Sequence, residues 1–91
     1  MIVVLSVHTN TIKDFDFGSA KSNDRIHLGN QAGTCSWIAS SAYDSNTKTL
    51  TLNLNGGGIG LLNNYTAGTD DQFYGSTNGN ATFQSFTRSF N

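Results

Sequence analysis

Between Lys48 and Leu54 the chain places a leucine at every second position. Successive side chains of a strand point to opposite faces, so Leu50, Leu52 and Leu54 share one face and Thr49, Thr51 and Asn53 the other. Asn55-Gly56-Gly57 follows directly and is a strong hairpin signal. Ile59 to Tyr65 then returns as the partner strand, with Ile59 and Leu61 expected opposite the leucines. Upstream, Asp44-Ser45-Asn46-Thr47 holds residues that accept local backbone hydrogen bonds and tolerate left-handed conformations, which marks a turn. Ala42 to Tyr65 is therefore predicted to be a three-stranded meander.

The flanking segments read as strands and loops too. Ile2 to His8 is β-branched and apolar, as in a buried strand, and Thr9-Asn10-Thr11 turns the chain. From Ile12 to Phe17 the residues alternate: Ile12, Asp14 and Asp16 on one face, Lys13, Phe15 and Phe17 on the other. Gly18 to Asp24 is a seven-residue polar loop, and Arg25 to Leu28 a short strand with Ile26 and Leu28 inward. Gly29 to Thr34 is a second loop, and Cys35 to Tyr43 a strand with Trp37 as the largest core candidate. Phe83, Phe86 and Phe90 have helix spacing, but Thr, Ser and Phe favour a strand or irregular packing. The expected fold is all-β: one domain over residues 1–91, a small antiparallel sandwich or open roll of about six to eight strands around the central meander.

Composition narrows the function classes. Only 12% of the 91 residues are charged and the net charge is -1. Lys13, Lys21, Arg25, Lys48 and Arg88 are scattered, whereas nucleic-acid binding needs several cations on one face, so no nucleic-acid partner is expected. No apolar run is long enough for a membrane-spanning helix. Ile2-Val3-Val4-Leu5 is too short for a signal-peptide core, so a secreted form is expected to leave without cleavage of an N-terminal signal. The polar residues are mostly Ser, Thr, Asn and Gly, a bias shared with extracellular and cell-surface β proteins. Cys35 stands alone, so no intrachain disulfide forms, and it is expected to act as a small buried hydrophobe.

Ile12-Lys13-Asp14-Phe15-Asp16-Phe17-Gly18, followed by Asp24-Arg25-Ile26-His27-Leu28-Gly29, resembles a segment of hemolysin-type (RTX) secreted bacterial proteins. In that family the segment lies in the C-terminal β region that follows the calcium-binding repeats. Tyr43-Asp44 through Thr49-Leu50, Asn55-Gly56-Gly57-Gly58 and Asp71-Gln72-Phe73 extend the resemblance across most of Thr11 to Phe73. The repeat itself does not occur: Gly57-Gly58-Ile59-Gly60-Leu61-Leu62 has Leu62 where the ligand aspartate belongs. The resemblance thus implies the flanking β region without the calcium roll. A weaker resemblance, from Ala39 through Asn55-Gly56-Gly57, is to KTSC domains and implies a module associated with RNA machinery.

All six acids are aspartates, and Asp14, Asp16 and Asp24 are the metal candidates. Two carboxylates on one strand face, with a third across the loop, suit a weak calcium site completed by loop carbonyls. The competing reading is a solvated strand face, with Asp24 capping a turn. Asp70-Asp71 reads as a surface loop after Gly68. No G-x-S-x-G elbow occurs, and no spacing marks His8 or His27 as a base, so no enzyme and no required cofactor are expected. Trp37, Tyr43, Tyr65 and Tyr74 are candidates for a carbohydrate-stacking platform or, more commonly, for core. The expectation is a non-enzymatic secreted or surface module acting in binding, assembly or export, with a cell-surface or carbohydrate partner. A homo-oligomer is expected as well, because a thin core and few edge lysines leave strand edges lightly guarded. The structural alternative is a self-assembling subunit.

Overall fold

A computed structural model describes residues 2–31, 34–78 and 82–90, without the side chains of Asn30, Gln31, Thr34 and Cys35. The expectation for the Cys35 side chain thus lies outside the described residues. Ten strands and no helix are found among them. In chain order these are β1 (Ile2–Val4), β2 (Thr9–Ile12), β3 (Arg25–His27), β4 (Asn30–Gln31) and β5 (Thr34–Cys35). Then come β6 (Ile38–Asp44), β7 (Thr49–Leu54), β8 (Ile59–Leu62), β9 (Asp71–Gly75) and β10 (Gln84–Arg88). Eight of them form two four-stranded sheets, ordered β1-β3-β9-β10 and β2-β8-β7-β6, and β4-β5 is a small hairpin. We call the first sheet A and the second sheet B.

The fold is the expected small all-β sandwich, but its sheets are mixed rather than antiparallel. β1 runs parallel to β3 and β3 parallel to β9, while β2 runs parallel to β8. Within the two four-stranded sheets, the meander β6-β7-β8 and the pair β9-β10 are antiparallel, as is the separate β4-β5 hairpin. The parallel pairs arise because the chain repeatedly changes sheet, first through the link of residues 5–8 from sheet A to sheet B, before it returns to pair with a strand it left. The parallel neighbours in each sheet are consequently distant in sequence.

The meander follows its alternation. Leu50, Leu52 and Leu54 are all buried. Their partners are not Ile59 and Leu61, as the sequence suggested: Leu50 faces Leu62 and Leu52 faces Gly60, while Ile59 and Leu61 stand opposite Asn53 and Thr51 on the other face. The turn sets this register. Leu54 N–H donates to the Gly58 carbonyl and Gly57 N–H to the Leu54 carbonyl, so three residues form the loop. Gly57 takes the left-handed position of that loop (φ 96°), as a three-residue hairpin requires. At the β6–β7 turn, Asn46 N–H donates to Asp44 Oδ1 (2.9 Å), but the left-handed residue is Lys48.

Four other expectations are corrected. The segment 2–8 is not one buried strand: β1 ends at Val4, and only Leu5 is fully buried. Thr9-Asn10-Thr11 is part of β2 rather than a turn, and the strand stops at Ile12. Ile12 and Phe15 are buried together, so the predicted alternation through Phe17 does not form. Trp37 is half-buried, and the largest fully buried side chain is Phe73. The aromatic tail is a strand, as favoured: Phe86 of β10 stacks on Phe73 (5.4 Å, 13°), and Phe90 meets both Phe73 and Tyr65.

Candidate functional site

Among the described residues three large apolar side chains stand in solvent: Ile2 (59% exposed), Val4 (60%) and Val7 (51%). All lie in β1 or the link that follows it. Val3, between the first two, pairs with Ile26 and packs on the core. The period of two then forces Ile2 and Val4 onto the outer face of sheet A. β1 is also an edge strand, with β3 on one side and no strand on the other among the described residues. Such an edge offers backbone donors and acceptors to another chain.

The register continues this apolar surface inward across the sheet. Ile2 lies beside Arg25, and Arg25 beside Gln72; Val4 lies beside His27, and His27 beside Tyr74. The His27 ring packs against Tyr74 (5.1 Å between centroids), and Tyr74 meets Phe83 (5.9 Å). The His27 Nε2 is buried without a hydrogen-bond partner among the described residues. Burial, and then the charge of Arg25, lower its pKa from the ordinary histidine value. The result is a band of Val4, His27, Tyr74 and Phe83 flanked by one cation.

The other edges are guarded. β2 presents Thr9, Asn10 and Thr11. β6 is interrupted by a register shift between Ile38 and Ser40. β10 carries Arg88, which pairs with Asp71 on the inward side, and its guanidinium lies 4.7 Å from the Phe90 ring centroid. Bulges and inward-pointing charges are both known ways of blocking edge pairing.

The aspartates do other work. Asp14 and Asp16 are exposed and lie beyond the end of β2, not on its face. Asp24 is buried and closes its loop: its Oδ2 accepts from Asp16 N–H (2.9 Å), and its own N–H donates to the Asp16 carbonyl (3.0 Å). Among the described residues no group of three acidic, histidine or cysteine side chains is gathered to hold a metal.

Asp71 is not in a surface loop, as the sequence suggested, but 1% exposed. Tyr65 O–H donates to its Oδ2 (2.9 Å) and Gly18 N–H to its Oδ1 (3.0 Å). Desolvation raises its pKa against the opposing effect of these two bonds, and burial together with Asp71 raises that of Tyr65. This buried pair ties the Gly18–Asp24 loop to the core. One signal could have located it: Asp71 lies two residues before Phe73, and on a strand that is the same face. Trp37, Tyr43, Tyr65 and Tyr74 do not share a face. Tyr43 and Tyr65 are in contact (5.7 Å) with Tyr65 buried, whereas Tyr74 lies on the outer face of sheet A.

No family model, curated protein or solved structure gives a significant match to this chain.

Proposed function

We propose that this chain is a non-enzymatic β module that works by binding and assembly, with the free edge of β1 as its contact surface. One observation carries the reading: the strand whose edge is open is also the strand that exposes Ile2 and Val4, with Val7 beside it. The favoured occupant is a second copy. A two-fold axis beside β1 would pair two such strands antiparallel, presenting the same patch on both sides. A net charge of -1 offers little repulsion to that approach. A short strand with three exposed side chains is at the low end of interface sizes, below about 1,200 Å² in total, so association is expected at micromolar concentration. The proposed setting is extracellular or cell-surface, on the polar, weakly charged composition.

The test is sedimentation velocity over a micromolar dilution series, on the wild type and on Val4→Lys. A concentration-dependent dimer that the lysine abolishes is the expected result. A wild type that stays monomeric throughout would overturn self-assembly through β1.

A further inference from the structure

The flank of the sandwich formed by β6 and β10 is open. Ser41 pairs with Leu52, and Tyr43 with Leu50, so both point into the sandwich. Yet Ser41 is exposed and Tyr43 only half-buried. Across the gap, Phe86 pairs with the buried Phe73 and is itself half-buried. At one end of this flank lies a cleft of about 230 Å³ lined by Ile38, Ser76, Thr77, Phe86, Thr87 and Arg88. Ile38 and Phe86 form apolar walls, and the threonines bring hydroxyls. Among the described residues Arg88 is the one charged group in the lining; its cross-strand neighbour Asp71 is turned to the core, where its two oxygens accept from Tyr65 O–H and Gly18 N–H.

From this arrangement we infer that the cleft is a binding site for a small amphiphilic carboxylate, its hydrocarbon body between Ile38 and Phe86 and its carboxylate on Arg88. Size and charge both favour this class. A dry cavity of about 150 Å³ holds one benzene ring, and sites for drug-sized ligands start at about 300 Å³. A ligand of this cleft is therefore a short acyl chain or a single ring. A guanidinium with no competing acid in the lining selects an anion at the head.

Hexanoate, hexanol and hexylammonium share a six-carbon body and differ in the head group. Each is titrated into the full chain while backbone amide shifts are followed by NMR. Hexanoate is expected to move Ser76, Thr77 and Phe86–Arg88 with saturation, hexanol to move the same residues more weakly, and hexylammonium least. Arg88→Gln removes an exposed charge and should weaken hexanoate by about two- to fivefold, the scale of a solvent-facing ion pair, leaving hexanol unchanged. Thr77→Phe, at the exposed rim, should block both. Hexanoate shifts spread over the outer face of sheet A, or equal affinity for hexanoate and hexylammonium, would overturn the assignment.

Discussion

The two flanks of the sandwich are built in opposite ways. At the β1/β2 flank the interior is sealed and the outer edge is apolar. Leu5, in the link between the two strands, is 0% exposed and sits over Gly60. At the β6/β10 flank the interior is open and the outer edge is guarded. There Phe86 and Tyr43 are half-buried, while the bulge in β6 and the inward Arg88 interrupt the edges. Chain connectivity explains the contrast. A direct link between sheets drops a leucine into the gap, and β1 and β2 are joined by one. β6 and β10 are far apart in sequence, and among the described residues nothing comparable closes them. A seam left open internally can admit a small molecule, and an apolar edge left open externally can admit another strand.

The largest effect that can break this comparison is the loss of the seal. Leu5→Ala should destabilise the fold by about 2–5 kcal/mol, the range for leucine truncation in a core. Phe86→Ala should cost less, about 1–2 kcal/mol, because roughly half of the usual phenylalanine burial is at stake. Urea denaturation of both variants gives the order. An equal or larger cost at Phe86 would mean that the β6/β10 flank is as closed as the other.

Next in size is Gly60→Ala. A Cβ there would stand 2.9 Å from Leu5 Cδ1 and 3.2 Å from Cδ2. Overpacking of this kind costs about 1–3 kcal/mol. Combined with Leu5→Ala the penalty should shrink, because the clash is removed, and a double-mutant cycle on melting curves measures that coupling. Strict additivity would contradict the packing of Leu5 on Gly60.

A third prediction concerns Asp71, which lies in neither flank. Its folded pKa is raised above 3.8, with desolvation the main cause. The folded state therefore holds the proton more tightly than the unfolded chain. The stability this contributes is fully present below about pH 3.8 and is lost as pH rises through the folded value. A tenfold difference in proton affinity between the two states is worth about 1.4 kcal/mol. Asp71→Asn should remove this dependence, so wild type should gain stability relative to the variant as the pH is lowered toward 4. A difference independent of pH would contradict the raised value. The smallest expected effect is that of calcium. Asp24 is already engaged by the Asp16 backbone, so a millimolar calcium melt against EDTA should leave Tm unchanged, whereas a rise of several degrees would restore Asp14, Asp16 and Asp24 as ligands.

Much of the sandwich was legible where one strand carries its own pattern. Leu50, Leu52 and Leu54 declare their face by alternation, and Asn55-Gly56-Gly57 declares the turn. Ile26 and Leu28 were placed inward by the same rule, and both are 0% exposed. What failed depended on partners distant in sequence. Ile2 to His8 looked like a core strand because its residues are apolar, but edge position is a property of the sheet, not of the segment. The leucine partners were missed because Gly60 looks like a gap in its strand until Leu5 is known to fill it. Asp71 was misplaced because an acid beside Asp70 suggests solvent, and only Tyr65 and Gly18 make its burial tolerable. The proposed contact surface was hidden for the same reason as β1 itself.

Hydrogen exchange of the β1 amides as a function of protein concentration tests the central claim most directly. If the β1 edge receives a second copy, the outward-facing amides of Ile2–Val4 should become more protected as concentration rises. Those on the free edges of β6 and β10 should exchange at a constant rate, and Val4→Lys should return β1 to the dilute value. Exchange at β1 that is independent of concentration, or protection that appears at β6 or β10 instead, would contradict the account.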